Sequence, residues 1–564
     1  MDRPVHVERD VLVTMRDGVR LATDIFRPAG AGPFPALLKR TPYGKKQSEL
    51  ISAESIASLV DHGYAVVMQD VRGRFNSEGS WTPFVHEMAD GVDTIAWLTA
   101  QSWAASRIGM FGGSYLGLAQ LLAAAGQPQG LAAIVPALAP SDLHRDWVYR
   151  GDNVLDLLLS VGWAASAASD TARRTGVDDA SITSVERAFG RFVQLVASGG
   201  NGAVQGSAEL LGAMEPLFCA ATRADATAFD GVLTYVRDWL KHPRGDGFWS
   251  GISPAAHYAR MSTPGLHIAG WYDAFLNGTL ANFTGLLEQA ATMEARVGQR
   301  LIVGPWLHAA FEPCPPHVIG EVDFGPQADL DYPETQLRWF DHWLKGATNR
   351  VPTEAPVRLF VMGENCWREE HEWPLARTRW RSVYLRTAGD LTFDSPAGES
   401  SSERYQHRPG NPVPTVGGAL LPGAALAGPF DQRGIERRPD VLVYTSEALD
   451  ADLEVTGPLR VELWVSSSAP LADFIARLVD VHPDGRALNL CEGIIRTSVA
   501  PGSLSRASID LGATSNVFCA GHRLRLDICS SSYPHYAPNT HAAEQTIFHD
   551  GAHPSHLVLP IIPR

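Results

Sequence analysis

Residues 112–117 read GGSYLG and surround Ser114 with small residues. This segment follows an apolar run at 108–111 and precedes an alanine- and leucine-rich stretch at 118–125, which are typical of a strand and a helix. A serine on a sharp strand-to-helix turn is strained, so small neighbours are needed where the two elements converge. The usual motif is G-x-S-x-G, whereas Leu116 takes its last position here. We therefore predict that Ser114 is a nucleophile on such a turn.

A serine hydroxyl is a poor nucleophile without a general base, and the base needs a carboxylate to orient it. Asp273 comes after the strand-like run at 265–269, and His308 comes after the run at 300–303. In α/β-hydrolase sheets the serine, the acid and the histidine follow strands in this chain order. Because the carboxyl ends of parallel strands meet at one edge, we expect these side chains to lie close together. The sequence therefore predicts a catalytic triad of Ser114, Asp273 and His308.

A largely parallel sheet is predicted to hold these residues. The chain opens with alternating runs at 11–15 and 21–26, which predict a β-hairpin that turns at Asp17-Gly18. Short apolar runs then alternate with helical stretches, as in a parallel sheet that helices cover on both faces. Helices are predicted around 91–98 and 335–344. The core strands are predicted at residues 35–38, 64–68, 108–111, 131–135, 265–269 and 300–303.

The strand pattern stops between residues 143 and 241, where leucine, alanine and tryptophan recur at helical spacing, as at 154–159. We interpret this stretch as a helical cap inserted into the core. Beyond residue 349 the runs at 357–362, 459–465 and 524–528 alternate between long loops, which predicts an antiparallel β-sandwich. The predicted division is residues 1–142 and 242–349 for the two parts of the α/β core, 143–241 for the cap and 350–564 for the β domain.

Composition narrows the class of protein. The chain has 564 residues, 45% hydrophobic and 19% charged, which is typical of a folded protein of two or three domains. Its formal net charge of −15 disfavours nucleic acid or an anionic membrane as a partner, because both would repel it. No apolar run has the length of a signal peptide or a membrane span, and no cysteines form a C-x-x-C pair. We expect a cytoplasmic protein without a metal site or a cofactor.

The motifs resemble those of the cocaine esterase branch of the X-Pro dipeptidyl-peptidase-like, or CocE/NonD, α/β-hydrolases. This branch also includes α-amino acid ester hydrolases and glutaryl acylases, and the resemblance extends over essentially the whole chain. It implies a hydrolase core, a helical cap and a C-terminal β jelly roll. The motifs that carry it are MRDGVRL at 15–21, QDVRG at 69–73, MFGGSYLG at 110–117, AGWYD at 269–273, VGPW at 303–306, LFVMG at 359–363, LVDVHPDGR at 478–486 and HLVLPII at 556–562.

The resemblance also implies roles for residues around the nucleophile. It implies the same triad and gives the hydroxyl of Tyr43 as a donor to the oxyanion, beside the backbone N–H of Tyr115. A phenol placed where negative charge develops can stabilise a tetrahedral intermediate. Trp147, Trp163 and Phe275 fall where the family lines its acyl pocket with aromatic rings. Flat aromatic walls suit an aryl acyl group, although tryptophans at helical spacing in a cap are often core residues.

These inferences predict hydrolysis of a small-molecule carboxylic ester through an acyl-enzyme on Ser114. The alternative is amide chemistry, as in α-amino acid ester hydrolases, β-lactam acylases or X-Pro dipeptidyl aminopeptidases. Asp152 or Asp156 could then bind a substrate ammonium, although we expect both to be solvated positions on a helix. A third interpretation is an inactive scaffold whose jelly roll binds carbohydrate. The sequence is compatible with both a monomer and a homodimer.

Overall fold

The computed structural model describes the chain from residue 5 to residue 563 with several gaps. No helix within that described part is long and apolar enough to cross a membrane. The described residues are 5–176, 187, 190, 234–308, 315–398, 401–421, 427–498 and 500–563.

The chain begins with the predicted β-hairpin. Strands β1, Val5–Thr14, and β2, Arg20–Pro28, pair antiparallel, and Thr14 faces Arg20 across the turn. Gly18 lies in this turn with φ of 87°, a backbone conformation that glycine adopts without a steric cost. The hairpin prediction is therefore confirmed.

Four further strands form the first half of the core sheet, and all four coincide with predicted apolar runs. Strand β4 is completely buried, as expected for a parallel strand covered on both faces. Helix α3 packs on helix α4, which begins directly after Ser114. The elements are β3, Phe34–Thr41, α1, Lys45–Ile51, α2, Ala53–Asp61, β4, Ala65–Asp70, α3, Glu87–Thr99, β5, Ala104–Gly113, α4, Tyr115–Ala125, and β6, Leu131–Ala137.

The described part of the predicted cap is mostly helical, but it begins differently from our expectation. The run at 154–159 was predicted to be helical, and this is wrong for its first residues, because β8, Val154–Leu155, pairs with β7, Tyr149–Arg150. Backbone pairing between Asp156 and Tyr536 of the C-terminal domain continues this hairpin, so tertiary contacts override the helical spacing. Apart from 187 and 190, residues 177–233 of the cap lie outside the described residues. The described helices are α5, Trp163–Ser166, α6, Ala168–Thr175, and α7, Thr234–Lys241.

The second half of the core completes a ten-stranded sheet. Its order is β1-β2-β4-β3-β5-β6-β9-β10-β13-β14, and the strands from β4 to β13 run parallel. The elements after the cap are α8, Gly247–Ser250, β9, Leu266–Tyr272, α9, Leu276–Gln289, α10, Met293–Val297, β10, Arg300–Leu307, β11, Val318–Ile319, β12, Val322–Asp323, α11, Tyr332–Lys345, β13, Val357–Val361, and β14, Cys366–Glu370.

The position of β13 shows that one prediction is wrong. The run at 357–362 was assigned to the β-sandwich, but β13 pairs parallel with β10, with Leu301 opposite Val357, and so extends the core sheet. The antiparallel partner of β13 is β14, which ends this sheet. The strand pairing therefore crosses the predicted boundary between residues 349 and 350. A short apolar run predicts a strand, but its sheet depends on distant partners.

The C-terminal part is an antiparallel β-sandwich, as predicted. A seven-stranded sheet built around β19 faces a four-stranded sheet of order β18-β23-β20-β21. Long strands with buried and exposed residues in alternation, such as β19, form these layers. The elements are β15, Arg379–Leu385, β16, Leu391–Thr392, β17, Ser402–His407, α12, Arg433–Glu436, β18, Leu442–Thr445, β19, Leu453–Ser467, β20, Leu471–Val481, β21, Ala487–Ser498, β22, Ser505–Phe518, β23, Arg523–Cys529, β24, Ala543–Phe548, and β25, His556–Ile561.

A buried ion cluster joins the start of the cap to the sandwich. Asp156 is fully buried, so the expectation that it is solvated is wrong. Its carboxylate accepts a hydrogen bond from Arg150 Nε at 3.2 Å and lies 3.4 Å from His535 Nε2. The other ring nitrogen of His535, Nδ1, lies 3.4 Å from Glu492 Oε1. A histidine whose two nitrogens both face carboxylates needs two N–H donors, which only the charged imidazolium supplies.

The electrostatics of this cluster agree with that geometry. Burial lowers the pKa of His535, but the carboxylates of Asp156 and Glu492 outweigh it and raise the pKa overall. Burial raises the pKa of Glu492, whereas Arg477 and His535 lower it to about 2. A raised histidine pKa stabilises the fold below the unfolded pKa of about 6.5, and this contribution is lost as the pH rises through the folded pKa.

We predict that His535→Gln destabilises the protein in a pH-dependent way. Removing one partner of a buried ion pair leaves uncompensated charge, and it costs about 3 kcal/mol. The difference in melting temperature between wild type and variant should be large at pH 6 and shrink toward pH 9. His371→Gln, at an exposed position, is the matched control and should melt like wild type. A deficit that stays constant across this pH range would contradict the charged imidazolium.

Candidate active site

Ser114 lies at the sharp turn between β5 and α4, with φ of 62° and ψ of −127°. The helix approaches the sheet so closely that a Cβ on Gly117 would lie 2.9 Å from the carbonyl oxygen of Ala137. A Cβ on Gly112 would lie 2.8 Å from the Cβ of Leu116. The close contact of the helix with β6 therefore falls at Gly117, which explains why the turn tolerates leucine at the last position of the usual motif.

The structure brings together the three residues that were predicted as a triad. His308 follows β10, and its Nδ1 donates a hydrogen bond to Asp273 Oδ1 at 2.7 Å. Its Nε2 lies 3.0 Å from Ser114 Oγ, from which it can accept the hydroxyl proton. Asp273, directly after β9, is completely buried, and 9% of the His308 side chain is exposed. The arrangement suits proton transfer from the serine to a histidine that a buried carboxylate orients.

Tyr43, which follows β3, places its hydroxyl against the serine. The oxygen accepts a hydrogen bond from Trp163 Nε1 at 3.0 Å. Burial raises the pKa of Tyr43, although Trp163 and the nearby Ser114 side chain oppose the shift, so the phenol stays protonated at neutral pH. A protonated phenol that already accepts from an indole keeps its own O–H to donate.

Tyr115 offers a second donor through its backbone. It is the first residue of α4, where an α-helix leaves N–H groups without intrahelical partners. Its buried side chain anchors this position, because the hydroxyl donates to Glu87 Oε1 at 2.8 Å. Glu87 in turn pairs with the buried guanidinium of Arg40, with 2.6 Å between Oε2 and Nη1. The ion pair of Glu87 and Arg40 therefore fixes the start of α4 through the hydroxyl of Tyr115.

A cavity of about 370 Å³ opens beside the serine, within the size range of small-molecule sites. All three parts of the chain contribute to its wall. The core supplies Ser114, Tyr43 and His308, the cap supplies Trp163, and the C-terminal domain supplies Leu421. The wall is mainly apolar, so the cavity fits an uncharged or aromatic group better than a strongly polar one.

The predicted aromatic residues form one cluster but do not all face this cavity. Trp163 lines it, whereas Trp147 and Phe275 are fully buried. The Trp147 ring lies 4.9 Å from that of Trp163 and 5.0 Å from that of Phe275, measured between ring centres. Phe275 also meets the His308 ring edge-on at 5.1 Å. Trp147 and Phe275 therefore support the rings of Trp163 and His308 from behind.

Sequence reasoning missed several further residues of this site. Phe84 stacks on Trp163 and Trp239, and Trp81 contacts Trp163 and Tyr235. Phe84 and Trp81 come from an irregular segment without periodicity, so no pattern could assign them. Lys39 also lines the cavity, and its ammonium donates to Ser52 Oγ at 2.7 Å. In the sequence, Lys39 is distinguished only as a charged residue directly after an apolar run.

One grouping of potential metal ligands does not show as a spacing along the chain. Single ligand atoms of Asp480, His482 and His522 all lie within 4.8 Å of one another at an end of the sandwich. Val481 pairs with Arg523 across the antiparallel strands β20 and β23, so the side chains on either side of this pair share a sheet face. His522 Nδ1 donates to Asp480 Oδ1 at 2.8 Å. Pairing across strands, rather than spacing along the chain, produces this grouping.

Comparison with known proteins places the chain in a family. Residues 17–310 match the X-Pro dipeptidyl-peptidase (S15 family) domain, and residues 349–558 match the X-Pro dipeptidyl-peptidase C-terminal non-catalytic domain. The chain belongs to the S15 family. It is 38% identical to the cocaine esterase of Rhodococcus sp. (strain MB1 Bresler) over 605 aligned residues, which cover 100% of each chain. The resemblance read from the motifs is thus confirmed, and the chain is a serine hydrolase.

Two solved structures agree with this chain in fold. An aminopeptidase from the marine sediment archaeon Thaumarchaeota archaeon superposes with a TM-score of 0.81 at 22% identity, covering 100% of this chain and 97% of that one. An α-amino acid ester hydrolase superposes with a TM-score of 0.80 at 23% identity, covering 99% of this chain and 97% of that one. These likenesses confirm the predicted fold class, an α/β-hydrolase core with a C-terminal β domain.

We predict that Tyr43→Phe slows hydrolysis by about 10²- to 10³-fold in kcat, with KM nearly unchanged. Such a loss is typical of removing one oxyanion donor, because that hydrogen bond strengthens only as charge develops. Steady-state kinetics on a chromogenic ester measure both constants. Tyr384→Phe, in the distant sandwich strand β15, is the matched control and should keep wild-type kinetics. A Tyr43→Phe enzyme with wild-type kcat would exclude the donor role.

Proposed function

We propose that this chain hydrolyses carboxylic esters of small molecules through an acyl-enzyme on Ser114. The observation that carries the proposal is the aligned hydrogen-bonded chain from Asp273 through His308 to Ser114, with distances of 2.7 and 3.0 Å. The 38% identity to a protein named cocaine esterase supports ester chemistry over other uses of the same residues.

In the acylation step, His308 Nε2 removes the hydroxyl proton while Ser114 Oγ attacks the ester carbonyl carbon. The carbonyl oxygen becomes an oxyanion that accepts hydrogen bonds from the Tyr43 hydroxyl and the Tyr115 N–H. Asp273 stabilises the imidazolium that forms. When the C–O bond to the alcohol breaks, the imidazolium returns its proton to the departing alkoxide, and an acyl-serine ester remains.

Deacylation repeats these steps with water in place of serine. His308 takes a proton from a water molecule, whose oxygen attacks the acyl carbon. The same donors stabilise the second oxyanion, and the Ser114 oxygen leaves with the proton from His308. The products are a carboxylic acid and the free enzyme, so each turnover consumes one water and needs no cofactor.

The cavity favours an apolar and bulky acyl or alcohol group, because Trp163 and aliphatic residues form much of its wall. No carboxylate occurs among the described residues that line it. Asp156, which could have bound a substrate ammonium, is fully buried against Arg150 and His535. These observations favour neutral esters over the α-amino acyl substrates of the amide alternative.

We also propose that the chain works as three units. Residues 1–142 and 242–349, together with β13 and β14, form the core that carries the triad. Residues 143–241 select the acyl group through Trp163, and the part of residues 350–564 that follows β14 closes one side of the cavity. Leu421 and the contact between Asp156 and His535 support this division of labour. Trp147 and Phe275 keep the aromatic wall in place in this scheme.

We predict that Ser114→Ala abolishes ester hydrolysis, with a loss of about 10⁶-fold in kcat, because the nucleophile is gone. Rates on 4-nitrophenyl benzoate measure the loss, and wild type should release a burst of about one nitrophenol per active site. Ser250→Ala, at an exposed position, is the control and should keep wild-type rates. Activity that survives in Ser114→Ala would refute the assignment of the nucleophile.

A matched pair of substrates separates ester from amide chemistry. We predict that kcat/KM for 4-nitrophenyl benzoate exceeds that for the 4-nitroanilide of benzoic acid, and that α-amino acyl esters gain nothing over the benzoyl ester. The physical reason is that no carboxylate lines the cavity among the described residues, so a substrate ammonium would find no partner there. A preference for the anilide or for an α-amino acyl ester would instead favour the amide alternative.

A further inference from the structure

A second cavity, of about 420 Å³, lies at the other end of the core strands. It is bordered by Leu266 and Arg300, the first residues of β9 and β10, whereas Asp273 and His308 follow the last residues of the same strands. Strand β10 spans about 23 Å at 3.3 Å per residue, so the two cavities are well separated. A group bound here cannot contact the triad.

The wall of this cavity is unusually basic for an acidic chain. Four guanidinium groups line it, from Arg300, Arg338, Arg350 and Arg358, against the carboxylates of Glu354 and Glu369. The lining therefore holds two positive charges in excess, although the whole chain has a formal net charge of −15. Guanidinium groups recognise carboxylates and phosphates through paired N–H donors.

Neighbouring carboxylates neutralise the positive charges of these arginines only in part. Arg338 pairs with Glu354. Arg300 donates to the carbonyl oxygens of Val297 at 2.9 Å and Val351 at 3.2 Å, and its Nε is buried without a hydrogen-bond partner among the described residues. Arg358 lies over the Trp367 ring at 4.5 Å. Within the described chain, neither Arg300 nor Arg358 has a carboxylate within the 4.0 Å of an ion pair.

Burial makes this excess positive charge unfavourable. Burial lowers the pKa of Arg300 although Glu354 opposes the shift, and burial lowers the pKa of Arg358 although Glu369 opposes it. A further donor points to a ligand, since Trp339 lines the cavity with only 2% of its surface exposed and its Nε1–H has no partner among the described residues. Partly buried cations and unused donors are the groups that an anion would stabilise.

We propose that this cavity binds a small organic dianion whose charge is carried by carboxylate or phosphate groups. Arg350 and Arg358 contact the charged groups, while Leu266, Ile302 and Val351 pack against the carbon part. The excess of two positive charges sets the charge of the ligand, and the cavity volume limits it to a small molecule. The site is independent of ester hydrolysis and requires no chemistry at Ser114.

Isothermal titration of the full chain tests this with three probes: inorganic phosphate, succinate and phenyl phosphate. We expect one equivalent to bind with a Kd below about 1 mM and with an affinity that falls as salt rises. Succinamide, the neutral analogue of succinate, should not bind. The relative affinities of succinate and phenyl phosphate distinguish a carboxylate ligand from a phosphate ligand.

Variants locate the binding. Arg350→Gln and Arg358→Gln should each weaken the best probe about tenfold or more, as expected for the loss of a charge-assisted hydrogen bond. Arg408→Gln, at an exposed position in the sandwich, is the matched control and should bind like wild type. All three variants should keep wild-type ester hydrolysis. Since Arg350 is exposed, Arg350→Gln carries the test if Arg358→Gln fails to fold.

The proposal is overturned if none of the three probes binds with a Kd below about 1 mM. It is also overturned if Arg350→Gln binds the best probe as tightly as Arg408→Gln does. Binding that competes with the ester substrate would place the anion in the catalytic cavity and would also overturn it. Loss of ester hydrolysis in Ser114→Ala leaves this test intact, because the Ser114→Ala protein should bind the probes with unchanged affinity.

Discussion

The strained backbone of Ser114 is the constraint on which the rest of the structure depends. A positive φ at a residue with a side chain costs on the order of 1–3 kcal/mol and persists only when the surroundings leave no alternative. Here both backbone groups are held, since the Ser114 N–H donates to Ala137 O at 2.9 Å and its carbonyl accepts from Leu118 N at 3.0 Å. The strands β5 and β6 and the helix α4 must therefore meet closely, which is why glycine occupies position 117.

The segment around Asp273, the acid of the triad, is held by contacts from the start of the cap and from the sandwich. Arg150 donates to the carbonyl oxygen of Ala274, the residue after Asp273, at 3.1 Å and is itself paired with Asp156. On the other side of Asp273, the hydroxyl of Tyr272 donates to the backbone carbonyl of Asn489 in the sandwich at 3.2 Å. The sandwich thus holds Tyr272 directly, and through the contact of His535 with Asp156 it supports the cap residue that holds Ala274. It therefore belongs to the catalytic unit.

The parts of the fold that were predicted correctly are those that depend on residues close together in the sequence. The turn at Ser114, the strands of the parallel sheet and the approach of Asp273 and His308 all follow from apolar runs and from the direction of parallel strands. What the sequence could not reveal depends on partners far along the chain. Strand β13 was assigned to the wrong sheet, and Asp156 was expected in solvent, because pairing and burial are decided by distant residues. The grouping of Asp480, His482 and His522 was not predicted, for the same reason.

The two edges of the core sheet also explain why composition was a poor guide to local charge. Parallel strands gather all carboxyl ends at one edge and all amino ends at the other, so residues far apart in sequence accumulate at each. At one edge this collects a nucleophile, a base and an acid around an apolar cavity. At the other it brings Arg300, which begins β10, beside Arg338 of α11 and Arg358 of β13. A net charge of −15 is an average over the surface, whereas the field that a ligand meets is set by the few groups that the sheet brings together.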